Sequence, residues 1–274
     1  MNEQTNSQRR FTVIELPVLP IVKQSLLLPF KYLPELVKYG GIPFLLILAA
    51  DAICFLLERE DVSRSATGSA MALAHFILFT PFSVAWTRLA LYGRPAIANH
   101  PPFAYSRTQW LYLLATTAML VLMTICVGLP ATLLLYGQRT LNTQITIEAT
   151  TLLLVGLFLF ALLFFRLAFI FPAIVVGRYA GISAAWKQTA GNLERLAAVI
   201  VLSYAPFYVV RRVFEWFMGY HPPGLTSVAR GIVDMLLVAL ATTALAGPAL
   251  AYKSLVLDQR EDALALAAST PSRA

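Results

Sequence analysis

The sequence predicts an all-α, polytopic helical membrane protein: six transmembrane helices accompanied by short interfacial amphipathic helices. Three observations carry this prediction. Of the 274 residues, 58% are hydrophobic and only 13% charged, whereas soluble domains carry roughly 25% charged residues. Six apolar segments are long enough to cross a hydrocarbon core of roughly 30 Å, which takes about 20 helical residues. Runs such as Leu152-Leu153-Leu154-Val155 and Leu157-Phe158-Leu159-Phe160 lack the polar and apolar alternation of a barrel strand, which leaves helices as the spanning element.

Taken in order, residues 1–17 are polar and then irregular, with no apolar core or small-residue cleavage site behind them, so they read as a cytoplasmic tail rather than a removable signal peptide. Arg9-Arg10 reads as a pair of interfacial arginines, because no secretory apolar region follows closely. Residues 18–257 form one membrane domain. Its first part, 18–39, is too polar to span, and Gln24, Lys31, Glu35 and Lys38 fall on one side at helical spacing, so it reads as an interfacial amphipathic segment. Breaks are expected at Pro29 and Pro34, and a stop at Gly40-Gly41.

Spans follow near 41–57, 69–92, 110–135, 149–171, 193–214 and 231–252. The third carries no charged residue from Trp110 to Leu135, and in the fourth Arg166 alone interrupts an apolar run from Ala149 to Gly177. Between spans four and five, 182–190 reads as a second interfacial helix, with Trp186 and Lys187 suited to the headgroup zone and Gly191-Asn192 as its stop. Residues 258–274 are a second cytoplasmic tail. The longest connections between spans are about 20 residues, too short for a separate domain.

Each span holds one proline: Pro43, Pro81, Pro130, Pro172, Pro206 and Pro248. Proline removes a helix hydrogen bond, so kinks are expected where it is central, at Pro81 and Pro206. A faint repeat is visible in Arg88-Leu89-Ala90-Leu91 and Arg166-Leu167-Ala168-Phe169, although pairing by proline gives a different offset. Span six presents Ala239, Ala241, Ala244, Ala246, Gly247, Ala249 and Ala251, a small-residue face for close helix contact or self-association.

Orientation follows from the basic residues. Fifteen Lys and Arg lie beside one set of span ends and six beside the other, which places both termini in the cytoplasm, in a bacterial inner membrane. The formal charge of +7 is therefore a topology signal and an attraction to anionic lipid rather than a nucleic-acid footprint.

Asp51 is the expensive residue. Ten residues past Gly41, at about 1.5 Å each, it lies roughly 15 Å deep, where an ionised Asp costs at least about 3 kcal/mol. His75 on span two is within reach by the same count. An Asp51–His75 pair reads as a proton or cation relay in one view and as an interhelical packing contact in the other. A single acid and a single histidine favour the second. Arg88, Arg166, Arg178, Lys187 and Arg195 gather at cytoplasmic span ends, where long side chains reach lipid phosphates or anchor the interface.

No nucleophile elbow, metalloprotease, phosphate-loop or dinucleotide pattern occurs, and His75, His100 and His221 sit on different segments. Cys54 and Cys126 lie inside apolar runs, so no disulfide framework, metal or cofactor is expected.

The stretch RLAFIFPAIVVGRYAGISAAWKQTAGNLER, from Arg166 to Arg195, resembles the multi-pass membrane domain attached to some bacterial glycerophosphoryl diester phosphodiesterases and related stand-alone membrane proteins. Arg166, Pro172, Ala184-Ala185-Trp186 and Gly191-Asn192 carry the resemblance. It implies a fold and a membrane setting. It implies no activity, since the phosphodiesterase barrel is missing, and Val176-Gly177-Arg178 stands where such proteins often carry an acidic residue.

The expectation is a non-enzymatic accessory or scaffolding protein of the membrane, with membrane lipids, anionic ones included, as partners. The rival is a small-solute or ion transporter using kinked helices and Asp51.

Overall fold

A computed structural model describes residues 15–58, 64–98, 101, 105–178, 181–218 and 244–258. Every regular element among them is helical. We name them α1 (Val18–Lys31), α2 (Leu33–Glu58), α3 (Arg64–Tyr92), α4 (Arg107–Met123), α5 (Leu129–Arg139), α6 (Thr143–Leu167), α7 (Ile170–Val175), α8 (Ile182–Gln188), α9 (Leu193–Met218) and α10 (Ala244–Leu257).

Three stretches are long and apolar enough to cross a membrane: Arg107–Arg139 and Thr143–Val175, of 33 residues each, and Leu193–Phe214, of 22. They coincide with the expected third, fourth and fifth spans. At about 1.5 Å per residue the two long rods measure roughly 50 Å, well beyond the hydrocarbon core. The spans expected near 41–57 and 69–92 lie within α2 and α3. Only the part of the sixth from Ala244 onward falls within the described residues.

The two rods form an antiparallel hairpin. Ser106 caps α4, its hydroxyl accepting from the Thr108 amide while the Gln109 side chain accepts from the Ser106 amide. At the tip Leu141 takes a φ of 53°. Asn142 then caps α6, its side-chain oxygen accepting from the Ile145 amide at 3.1 Å. Two glycines let the rods close: a Cβ on Gly137 would press on Thr146 and Ile145, and one on Gly156 would overlap the Cys126 carbonyl.

That carbonyl belongs to a π-helical turn, Thr124–Gly128, between α4 and α5. Pro130 lies four residues beyond Cys126 and has no N–H to offer it, and its ring crowds the same carbonyl. A π-turn relieves that crowding. The same argument explains the end of α6. Pro172 crowds the Ala168 carbonyl, and the helix is interrupted at Ala168-Phe169 before α7 resumes, earlier than the expected end at 171.

The prolines differ in their effect on helix continuity. α3 and α9, where kinks are expected at Pro81 and Pro206, each run through the proline as one helix. α1 continues through Pro29 to Lys31, so no break falls there, whereas the helix is interrupted at Tyr32, just ahead of Pro34, which sits in the first turn of α2, where a missing N–H costs nothing. Gly40-Gly41 do not end the amphipathic segment, because α2 passes through them. Gly40 serves close approach instead: a Cβ there would lie 3.2 Å from the Phe82 ring of α3.

The buried core lies where helix ends converge. It joins Ile21, Val22 and Leu28 of α1, the 82–91 stretch of α3, α7, the start of α9 and Ala246–Leu257 of α10. Phe44, Phe79, Phe82 and Trp86 form a continuous aromatic file between α2 and α3. Away from this core the hairpin shows lipid-type side chains to its surroundings, Leu114, Leu154 and Phe158 each being more than 60% exposed.

Candidate functional site

The basic residues singled out in the sequence gather around α8 and the ends of α6 and α9, and the structure divides them. Arg166, near the end of α6, stacks its guanidinium on the Trp186 ring at 4.9 Å and donates to the Trp186 carbonyl at 3.5 Å. Its Nε is buried without a hydrogen-bond partner among the described residues. Thr189 is fully buried beneath the same turn and donates to the Ala185 and Trp186 carbonyls. Arg166 therefore holds α8 onto α6 through a cation–π contact.

Arg195 faces the other way. Its guanidinium pairs with Glu15 at 2.7 Å and donates to the Leu16 carbonyl. One turn earlier the buried Asn192 side chain accepts from the Leu16 amide at 3.0 Å. A third link lies farther along, where Ser25 and Ser203 share a hydrogen bond of 2.8 Å. Contacts 16 to 192 and 25 to 203 advance together, so α1 and the first half of α9 run side by side in the same direction. α10 closes this node, since a Cβ on Gly247 would lie 2.8 Å from the Ser203 hydroxyl. Of the small-residue face expected on span six, Gly247 is thus packed against α9, and Ala246, Ala249 and Ala251 are buried.

Arg178 and Lys187 are exposed, and Arg88 is half-buried near the end of α3. Arg178 lies close enough to Tyr252 of α10 to act on it electrostatically. The exposed Trp186 stands beside Lys187, and Ile182 at the start of the same short helix is also exposed. An indole, an aliphatic chain and an ammonium are thus exposed together on one short helix.

Asp51 and His75 lie on α2 and α3, and their side chains fall outside the described residues. Among the described residues no group of three or more His, Cys, Asp or Glu side chains could hold a metal ion. Sequence reasoning missed Glu15, Leu16 and Thr189, which fix the basic residues in place. Glu15 and Arg195 lie 180 residues apart in the chain, and no local pattern links them.

No family model, no curated protein and no solved structure matches the chain.

Proposed function

We propose that the chain is an accessory or scaffolding protein of a bacterial inner membrane, non-enzymatic, built on six spans with both termini cytoplasmic, and that the basic end of its bundle contacts anionic lipid. The observation that carries this reading is the surface of the hairpin. Two apolar rods of 33 residues turn leucines and phenylalanines outward over most of their length, which water would penalise and a bilayer accommodates. The remaining support is the anchor on α8, where Trp186, Lys187 and Ile182 share an exposed turn. The resemblance of residues 166–195 to a multi-pass membrane domain of the phosphodiesterase type is in keeping with a membrane setting.

Reconstitution tests it. The full chain, mixed with vesicles of phosphatidylcholine alone or with phosphatidylglycerol added, is expected to resist alkaline extraction in both and to retain phosphatidylglycerol preferentially after mild detergent. Release by alkali would contradict embedding, and lipid retention indifferent to charge would contradict the lipid contact.

A further inference from the structure

α1, α3 and α10 meet around a groove of about 480 Å³ lined by Leu27 and Lys31, Leu89 and Tyr92, and Leu250 and Lys253. That is the volume of a site for part of a lipid-sized molecule. Its floor is aliphatic, with Leu89 and Leu250 buried, and its mouth is open, with Leu27 and Tyr92 about half exposed at 52% and 49%.

Two basic side chains, Lys31 and Lys253, line the groove. Among the described residues neither Lys31 nor Lys253 has a carboxylate partner. The nearest candidate on the adjoining turn, Glu35, is engaged by Arg94 at 2.6 Å. Arg94 in turn lies over the Tyr32 ring, as does the Lys31 ammonium at 5.3 Å from its centroid. The ring thus places Lys31 at the groove's lip beside a second, already neutralised cation. Two ammonium groups above an apolar floor suit an amphiphile with a phosphate at one end and hydrocarbon at the other. A free phosphate would make no use of the leucines, and a zwitterionic lipid would compensate the lysines poorly.

We propose that this groove seats one anionic phospholipid, its phosphate held by Lys31 and Lys253 and an acyl chain lying along Leu27, Leu89 and Leu250. This rests on the reading that the bundle is membrane-embedded. It adds a site distinct from the surface around α8 and assembled from three segments remote in sequence.

The test is native mass spectrometry of the full chain in mild detergent with phosphatidylglycerol, with phosphatidylcholine, and with phosphatidylglycerol plus inorganic phosphate. One phosphatidylglycerol should be retained per chain, in preference to phosphatidylcholine, and inorganic phosphate at equal concentration should not displace it. Lys31→Gln with Lys253→Gln should weaken retention by about thirtyfold, taking each lysine at the value usual for a basic residue at an anionic surface. Lys23→Gln, exposed on α1 outside the groove, should leave it unchanged, and Lys31→Arg with Lys253→Arg should preserve it. If the double glutamine variant does not purify as a monodisperse species, each single variant should show about a fivefold loss. Equal retention of both lipids, displacement by inorganic phosphate, or undiminished retention in the glutamine variants would overturn the proposal. Alkaline extraction of the same variants separates the two readings: firm integration with undiminished retention removes the groove alone, whereas release by alkali removes the membrane reading beneath it.

Discussion

The Tyr105 hydroxyl donates to the main-chain carbonyl of Ile77, the acceptor that Pro81, four residues further along α3, cannot serve. A residue in the chain leading into α4 thus supplies the bond that a proline removed from α3, and α3 runs on without a break. Stripping that hydroxyl leaves a carbonyl with no donor, which costs about 1–2 kcal/mol. Tyr105→Phe should therefore lower thermal stability by that amount, and Pro81→Ala, which restores an N–H, should abolish most of the loss. A double-mutant cycle read by thermal unfolding checks this, and strictly additive effects would contradict it.

Gly156 gives a second prediction. Its hydrogen faces the Cys126 carbonyl across the hairpin, where any Cβ would overlap the backbone. Gly156→Ala should force the π-turn at Thr124–Gly128 away from α6 and cost about 1–3 kcal/mol, with amide exchange rising on both sides of that turn. Gly41, which has open space around its Cα, should accept alanine with no such loss.

These two contacts show what was legible in the sequence and what was not. Membrane-crossing character depends on length and composition, which local reading captures, so the rods at Arg107–Arg139 and Thr143–Val175 agree with the expected third and fourth spans. The prolines were visible too, but their consequences depend on what lies across from each freed carbonyl. Tyr105 answers Pro81 and a π-turn accompanies Pro130, whereas Pro172 ends α6. Gly40 misled for the same reason, since glycine looks alike as a helix stop and as a point of close approach to Phe82. Of the site, Arg166 and Trp186 lie within one continuous motif, but the partners of Arg195 come from the start of the chain.

A third prediction contrasts two links that tie that start to α9. Asn192 is buried and serves the Leu16 amide, so Asn192→Ala should cost about 1–3 kcal/mol and expose the Leu16 amide to exchange. The Glu15–Arg195 pair is largely exposed, and such pairs contribute about 0–1 kcal/mol. Glu15→Gln should leave protection at Leu16 nearly intact. Equal effects of the two substitutions would contradict the assignment of the anchor to Asn192.

The node of Ser25, Ser203 and Gly247 yields a fourth. Gly247→Val would drive its side chain against the Ser203 hydroxyl and Val199, separating α10 from α9 at a cost of about 1–3 kcal/mol. Ser203→Ala beside it should recover part of that loss by vacating space. Thermal unfolding of the single and double variants measures the recovery, and its absence would place the strain elsewhere.

The central claim is that the outward face of the hairpin lies in hydrocarbon. With Cys54 and Cys126 replaced, single nitroxide labels at Leu154 and Phe158 report their surroundings in reconstituted vesicles, with a label at Leu141, at the exposed tip, as reference. Collision with oxygen should exceed collision with a water-soluble nickel chelate at 154 and 158, and the order should reverse at 141. Nickel collisions dominating at all three positions would contradict the account.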